Sequence, residues 1–295
     1  MASVTLAYTT DDIEYVRHDD RPFMLRLFRP AGAGPFPTVI VLHPGGWAHG
    51  DLSGCQPQGE AWAQEGFAVV SLDFRQGADQ YPSSLTDINT AVRWVKSHAA
   101  DLRIDPDRVA LSGYSSGGHL AMLAAMRPND RRYAAIDIDD GVSAVDATVR
   151  CVGVAWPVIN PLSRYRHAKR HLTGEAAALW AKSAPEDHHK PDGIIENHHL
   201  YWADEDAMAE GNPLLALERG ESLAMPPTLW VQGKPDIVHN YQDLDSDVDV
   251  NEPERFARLY RAAGGEIEVL YIDYATRMGR ASFQPLAAFF HKHLS

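Results

Sequence analysis

The chain reads as an α/β protein, with a mixed, mainly parallel sheet carrying helices on both faces and a polar segment inserted late in the sheet order. Three observations predict this. Short apolar runs recur along the 295 residues, helical periodicity fills most of the gaps between them, and one long stretch carries no strand signal. With 45% hydrophobic and 23% charged residues, there is enough apolar material for one large core.

Phe23–Arg29 alternates apolar and polar side chains, as a half-exposed antiparallel strand does, whereas Thr38–Leu42 (TVIVL) is continuously apolar and suits a strand covered on both faces. The short buried-strand signal repeats at Ala68–Leu72, Val109–Ser112, Cys151–Ala155, Thr228–Val231 and Ile267–Ile272. Between them, Ile88, Ala91, Val92 and Val95 mark a helix over Leu85–His98, and Asn251-Glu-Pro-Glu opens another with Asn251 as its capping residue. The stretch from Trp156 to Leu223, rich in His, Arg, Asp and Trp, is expected to be a cap over the sheet's carboxyl edge. That divides the chain into a core at 1–155 and 224–295 and a cap at 156–223. A short extension precedes the first strand.

The balance of 27 Lys+Arg against 40 Asp+Glu gives a net charge of −13, which repels phosphate backbones and anionic lipid. Nucleic-acid and membrane partners are therefore not expected. Met1–Asp11 lacks a basic stretch followed by an apolar one, and no segment approaches the roughly 18 apolar residues of a membrane span. The expected location is cytoplasmic. Two cysteines in unlike contexts, Cys55 and Cys151, read as free thiols.

Chemistry concentrates in two segments. Gly113-Tyr114-Ser115-Ser116-Gly117 joins a predicted strand to the apolar helix Gly118–Ala125, the strand–turn–helix setting in which a strained turn lifts a serine hydroxyl into a cleft. Ser115 is the expected nucleophile, with small neighbours because larger ones would collide. Upstream, His43-Pro44-Gly45-Gly46-Trp47 leaves the TVIVL strand, and its paired glycines let backbone N–H groups turn toward an oxyanion. Gly45, Gly46 and Ser116 are expected to supply those amides; Pro44 has none. Trp47 and Tyr114 are expected at the substrate pocket, and Trp180, Tyr201 and Trp202 are further candidates for an apolar acyl or aryl lining.

These motifs resemble the α/β-hydrolase fold, specifically the esterase/lipase branch similar to hormone-sensitive lipase and the bacterial acetyl and feruloyl esterases. The resemblance runs from about Phe36 to the C-terminus and includes Asp73-Phe74-Arg75, Tyr81-Pro82, Asp87 with Ala91–Val95, Ile104–Val109 and Pro226–Gly233. It implies a serine carboxylic-ester hydrolase acting on a small-molecule ester through an acyl-enzyme, with no cofactor and no metal. It adds a homodimer through the last strand or helix as an expected assembly. It also implies that Asp236, in the loop after the strand ending at Gly233, orients a histidine.

That histidine is missing from its usual address, the loop after the last core strand. The loop reads Asp273 to Ser282 without a His, and Arg277 is the expected occupant. A guanidinium stays protonated and cannot accept the serine proton. Three explanations stay open: an inactivating change, with Arg277 paired to Asp236; a base recruited from His239 or from the pairs His188-His189 and His198-His199; or a non-hydrolytic protein that binds a ligand, or catalyses another reaction, with Ser115, the oxyanion amides and Arg277.

Weaker signals remain. The histidine-rich run from His188 to His199 reads as a polar lid, lacking the spacing of well-attested metal sites. The basic cluster Arg164, Arg166, Lys169 and Arg170, interleaved with Tyr165, His167 and His171, reads as a solvated helix face, with reception of a substrate carboxylate as the alternative. Asp243 to Glu254 has an EF-hand-like acidic spacing but Val248 where the turn needs Gly, so it reads as a cap for the following helix.

Overall fold

The computed structural model describes residues 6–138, 145–183 and 190–295. In chain order its elements are β1 (Tyr8–His18), β2 (Arg21–Pro30), β3 (Phe36–Leu42), α1 (Gln56–Ala63), β4 (Ala68–Leu72), α2 (Ser83–Ser97), α3 (Ala99–Leu102), β5 (Ile104–Tyr114), α4 (Ser116–Met126) and β6 (Cys151–Ala155). There follow α5 (Pro161–Arg170), α6 (Gly174–Ser183), α7 (Pro191–Tyr201), α8 (Glu205–Glu210), α9 (Pro213–Glu218), β7 (Thr228–Lys234), α10 (Glu252–Ala262), β8 (Ile267–Asp273) and α11 (Arg280–Leu294).

Eight strands form one sheet in the order β1-β2-β4-β3-β5-β6-β7-β8, antiparallel from β1 to β4 and parallel from there on. The expected mixed sheet is present, with β1 as an added edge strand where a short extension was expected. Its run Thr9-Thr-Asp-Asp is polar because an edge strand faces water, and Asp12 pairs with Arg26 directly opposite it on β2. The interior strands explain the continuous apolar runs. Ile40 and Leu42 of β3 enter the core under α2, α4 and α10, while Val39 and Val41 enter the one under α1 and α11.

The helix after Asn251 forms as expected, but Asn251 makes no side-chain cap: its Nδ2 donates to Asn240 Oδ1, 3.0 Å away. Between β6 and β7 lie α5 to α9, with α5 packed on α7 and α8. Both cysteines are free and buried. Among the described residues, no helix is long and apolar enough to cross a membrane.

The order reverses at β3, with β4 on one side and β5 on the other. Such a switch point opens a crevice at the carboxyl ends of the strands. The loops leaving β3 and β5 there are His43–Trp47 and the turn at Ser115.

Candidate active site

Ser115 sits between β5 and α4 at φ 51°, ψ −117°, a conformation that costs on the order of 1–3 kcal/mol for a residue with a side chain. The surrounding glycines permit it. A Cβ on Gly113 would stand 2.3 Å from Gly117 O, and one on Gly117 would stand 2.4 Å from both Leu42 O and His43 O. The turn is thus pressed against the end of β3, which brings Ser115 and the HPGGW loop together. The Ser115 amide is spent on Ala155 O, so it cannot serve an oxyanion, whereas Ser116 opens the first turn of α4.

Gly45 and Gly46 line the cavity in front of Ser115, at φ 139° and 62°. The loop is held from below. Trp47 is buried, and its Nε1 donates to His119 Nδ1 at 3.0 Å, one turn past the nucleophile on α4. Since Nδ1 accepts, the neutral ring carries its proton on Nε2, which donates to Gly211 O at 2.7 Å. Burial first, with the charge of Arg127 adding, lowers the His119 pKa to about 4 and keeps that tautomer neutral.

Asp236 and His239 share the turn that follows β7. His239 Nδ1 lies 3.0 Å from Asp236 Oδ2, and its Nε2 lies 3.1 Å from Ser115 Oγ. Both side chains are buried. With Nδ1–H donating to the carboxylate, Nε2 is left as the acceptor for the serine hydroxyl. Asp236 also accepts from the amides of Val238 and His239 and from Gln232 Nε2. Burial pushes the Asp236 pKa upward, but the His239 charge and these donors outweigh it and hold it below the ordinary carboxyl range. For His239, burial lowers the pKa; Asp236 opposes this, and the charges of Arg164 and Arg277 add to the lowering.

Arg277 occupies its expected loop, but it is not the group beside Ser115 Oγ. The imidazole beside Ser115 comes from the loop after β7, at His239. Arg277 reaches the same cavity from the loop after β8. Its guanidinium lies over the Tyr274 ring, 3.6 Å from the centroid, and donates to Tyr274 O at 3.1 Å. Asp236, the expected partner of Arg277, has its carboxylate bonded to the His239 side chain.

The cavity has a volume of about 390 Å³, is mainly apolar, and includes Trp156, Ile194 and Met278 in its walls. Trp47 and Tyr114 do not line it. Trp47 packs among His119, His198, Tyr201 and Trp202, and Tyr114 lies in the core under α11, against Trp156 and Phe283. Trp180 fills a small core with Ile194 and Val238. Trp47 thereby ties α7 to the HPGGW loop. His198 is buried and bonded to Ile194 O, and His199 Nε2 meets Tyr165 OH at 2.9 Å; the His188-His189 pair lies outside the described residues. Among the described residues, no group of three or more His, Cys, Asp or Glu is placed to hold a metal ion.

The basic cluster divides. Arg166 pairs with Glu205, and Arg170 pairs with Asp245, at the surface. Arg164, on the same helix, turns inward and lines the cavity at 5% exposure. Sequence reasoning did not separate it from its neighbours. Asn197 also lines the cavity, its Nδ2 placed 2.6 Å from where a Cβ on Gly46 would stand. No motif marks it.

Comparison with known proteins bears on the family and the fold. Residues 25–156 match the family model described as BD-FAE. Lipase 2 of Moraxella sp. is 38% identical over 221 residues, covering 69% of this chain and 48% of that protein. Carboxylesterase NlhH of Mycobacterium tuberculosis is 38% identical over 96 residues, 32% of this chain and 30% of that one. The chain spans under half the length of the curated relatives it matches. The hyperthermophilic esterase of the archaeon Pyrobaculum calidifontis superposes with a TM-score of 0.71 at 22% identity, over 96% of this chain and 85% of that one. In sequence the chain is similar to carboxylesterases and lipases, and it shares the fold of the solved esterases.

Proposed function

We propose that the chain is a serine carboxylic-ester hydrolase whose base is His239 in place of the usual histidine after the last strand. The observation that carries this reading is the unbroken hydrogen-bond path from Ser115 Oγ through His239 to Asp236. In this reading, Ser115 attacks the acyl carbon as His239 Nε2 takes its proton, and Asp236 holds the tautomer and steadies the imidazolium. The amides of Gly45, Gly46 and Ser116 receive the negative charge of the tetrahedral intermediate. Collapse expels the alcohol, protonated by His239. A water, activated by the same imidazole, then releases the acid and restores Ser115. No metal or cofactor takes part.

The cavity size and its mainly apolar wall suit a small-molecule ester. Burst and steady-state assays with p-nitrophenyl acetate and butyrate test the reading on four proteins: the unaltered chain, Ser115→Ala, His239→Ala and Arg277→His. Turnover by the unaltered chain that disappears in Ser115→Ala and His239→Ala is the expected pattern. Turnover by Arg277→His alone would instead mean a silenced site.

A further inference from the structure

Arg164 is out of place for a surface arginine. It lies on α5, two residues from Arg166 and six from Arg170, which pair with acidic residues on the outside. Its own guanidinium points inward, on a residue only 5% exposed. Among the described residues it makes no hydrogen bond or ion pair, and its Nε is buried without a partner. Its guanidinium carbon lies 6.0 Å from the centroid of the Trp47 ring. The nearby Asp236 carboxylate is already bonded to His239, Gln232 and two amides.

A buried cation with no anion is costly unless something completes it, and an arginine fork is matched by a carboxylate. The completing group has to enter through the cavity, because that is where Arg164 faces Ser115, Gly46 and His239. Arg277 places a second cation on the same wall, while the chain as a whole carries −13. The positive charge is local to the one cavity that holds the nucleophile. Burial lowers the Arg164 pKa to about 10, which leaves it protonated at neutral pH.

We infer that the ester accepted here carries a carboxylate, a half-ester of a dicarboxylic acid or an ester of a hydroxy or phenolic acid, bound by Arg164 inside the catalytic cavity. This rests on the ester-hydrolase reading above. The carboxylate is not the reacting group: it pairs with the guanidinium and fixes the ester in front of Ser115. A neutral ester of the same size leaves Arg164 unpaired and is disfavoured, as happens when a site built around a polar partner meets an analogue that lacks it.

Matched substrate pairs decide the matter: p-nitrophenyl hemiglutarate against p-nitrophenyl pentanoate for the acyl side, and 4-carboxyphenyl butyrate against phenyl butyrate for the alcohol side. In at least one pair the charged ester is expected to have the higher kcat/KM, by about 10- to 100-fold, the range of a charge-assisted hydrogen bond. The preference is expected to vanish in Arg164→Met, to survive in part in Arg164→Lys, and to stay intact in Arg170→Gln. Equal or better use of the neutral ester in both pairs overturns the inference, and this comparison needs no variant to fold.

Calorimetric binding of the same esters to Ser115→Ala separates the two readings. Charged esters that bind about tenfold tighter to Ser115→Ala, with Arg164→Met erasing the difference, support the carboxylate site even where the unaltered chain turns nothing over. In that case only the hydrolase reading fails. Equal affinities overturn the carboxylate site whatever the turnover.

Discussion

Asp236 and His239 stand three residues apart in one turn, and the carboxylate that holds the imidazole Nδ1 also accepts the main-chain amide of His239. Orientation of the base and closure of the turn thus depend on one side chain. Asp236→Asn should lower kcat by about 10⁴, as the equivalent change does in a serine-protease triad, because an amide does not fix the tautomer. His239→Ala should cost up to about 10⁶. Single-turnover kinetics with p-nitrophenyl butyrate, alongside circular dichroism to verify folding, measures both.

As the proposed base, His239 works only while neutral, so kcat/KM should rise with pH through the His239 pKa and level off above it. Burial, aided by Arg164 and Arg277, places that pKa below the ordinary histidine value of 6.5, so the acid limb should fall below pH 6.5. Removing one of those cations in Arg164→Met should move the limb to higher pH. A pH profile of kcat/KM for a neutral ester checks both statements.

Gly46 is the point where the HPGGW loop, proposed to hold the oxyanion, meets α7. Gly46→Ala sets a Cβ 2.6 Å from Asn197 Nδ2 in a left-handed conformation. Thermal stability should drop modestly while kcat drops much further, on the order of 10²-fold, as when an oxyanion donor is lost. A melting curve and an esterase assay on the same sample separate the two effects.

Glu252 is buried, bonded to Asn160 Nδ2 through one oxygen, with Arg255 3.5 Å from that oxygen and the other oxygen unpartnered. Burial raises its pKa from 4.5 to about 7, against the pull of Arg255. A carboxyl whose folded pKa lies above its unfolded one is best tolerated protonated, so it destabilises the fold progressively from pH 4.5 through 7. Glu252→Gln should match the unaltered chain near pH 4.5 and melt several degrees higher at pH 8. Scanning calorimetry at the two pH values tests this.

The parallel core was legible in the sequence because its strands are buried on both faces, leaving runs such as TVIVL that few other environments produce. Ser115 and the glycines around it were legible for a steric reason, since the close backbone approaches at Gly113 and Gly117 exclude any side chain. β1 stayed hidden because an edge strand need not be apolar. Arg164 stayed hidden because four cations at near-helical spacing do not reveal which one turns inward; that depends on how α5 lies against α7 and α8. His239 was one of several candidates, and the preference for Arg277 came from a loop address. A hydrogen bond has no such requirement: any loop at the carboxyl end of the sheet that delivers Nε2 to within about 3 Å of the hydroxyl serves equally well.

Because acid and base occupy one turn, they travel as a single body. Where the two come from separate loops, relative displacement breaks the bond between them first. Here a shift of the β7 turn would carry the pair away intact, so Ser115 loses its partner while the Asp236–His239 bond survives. The serine's readiness is then set by the docking of four residues, and α5, which leans on that turn through His167 Nε2 and Ile237 O at 3.1 Å, becomes its latch.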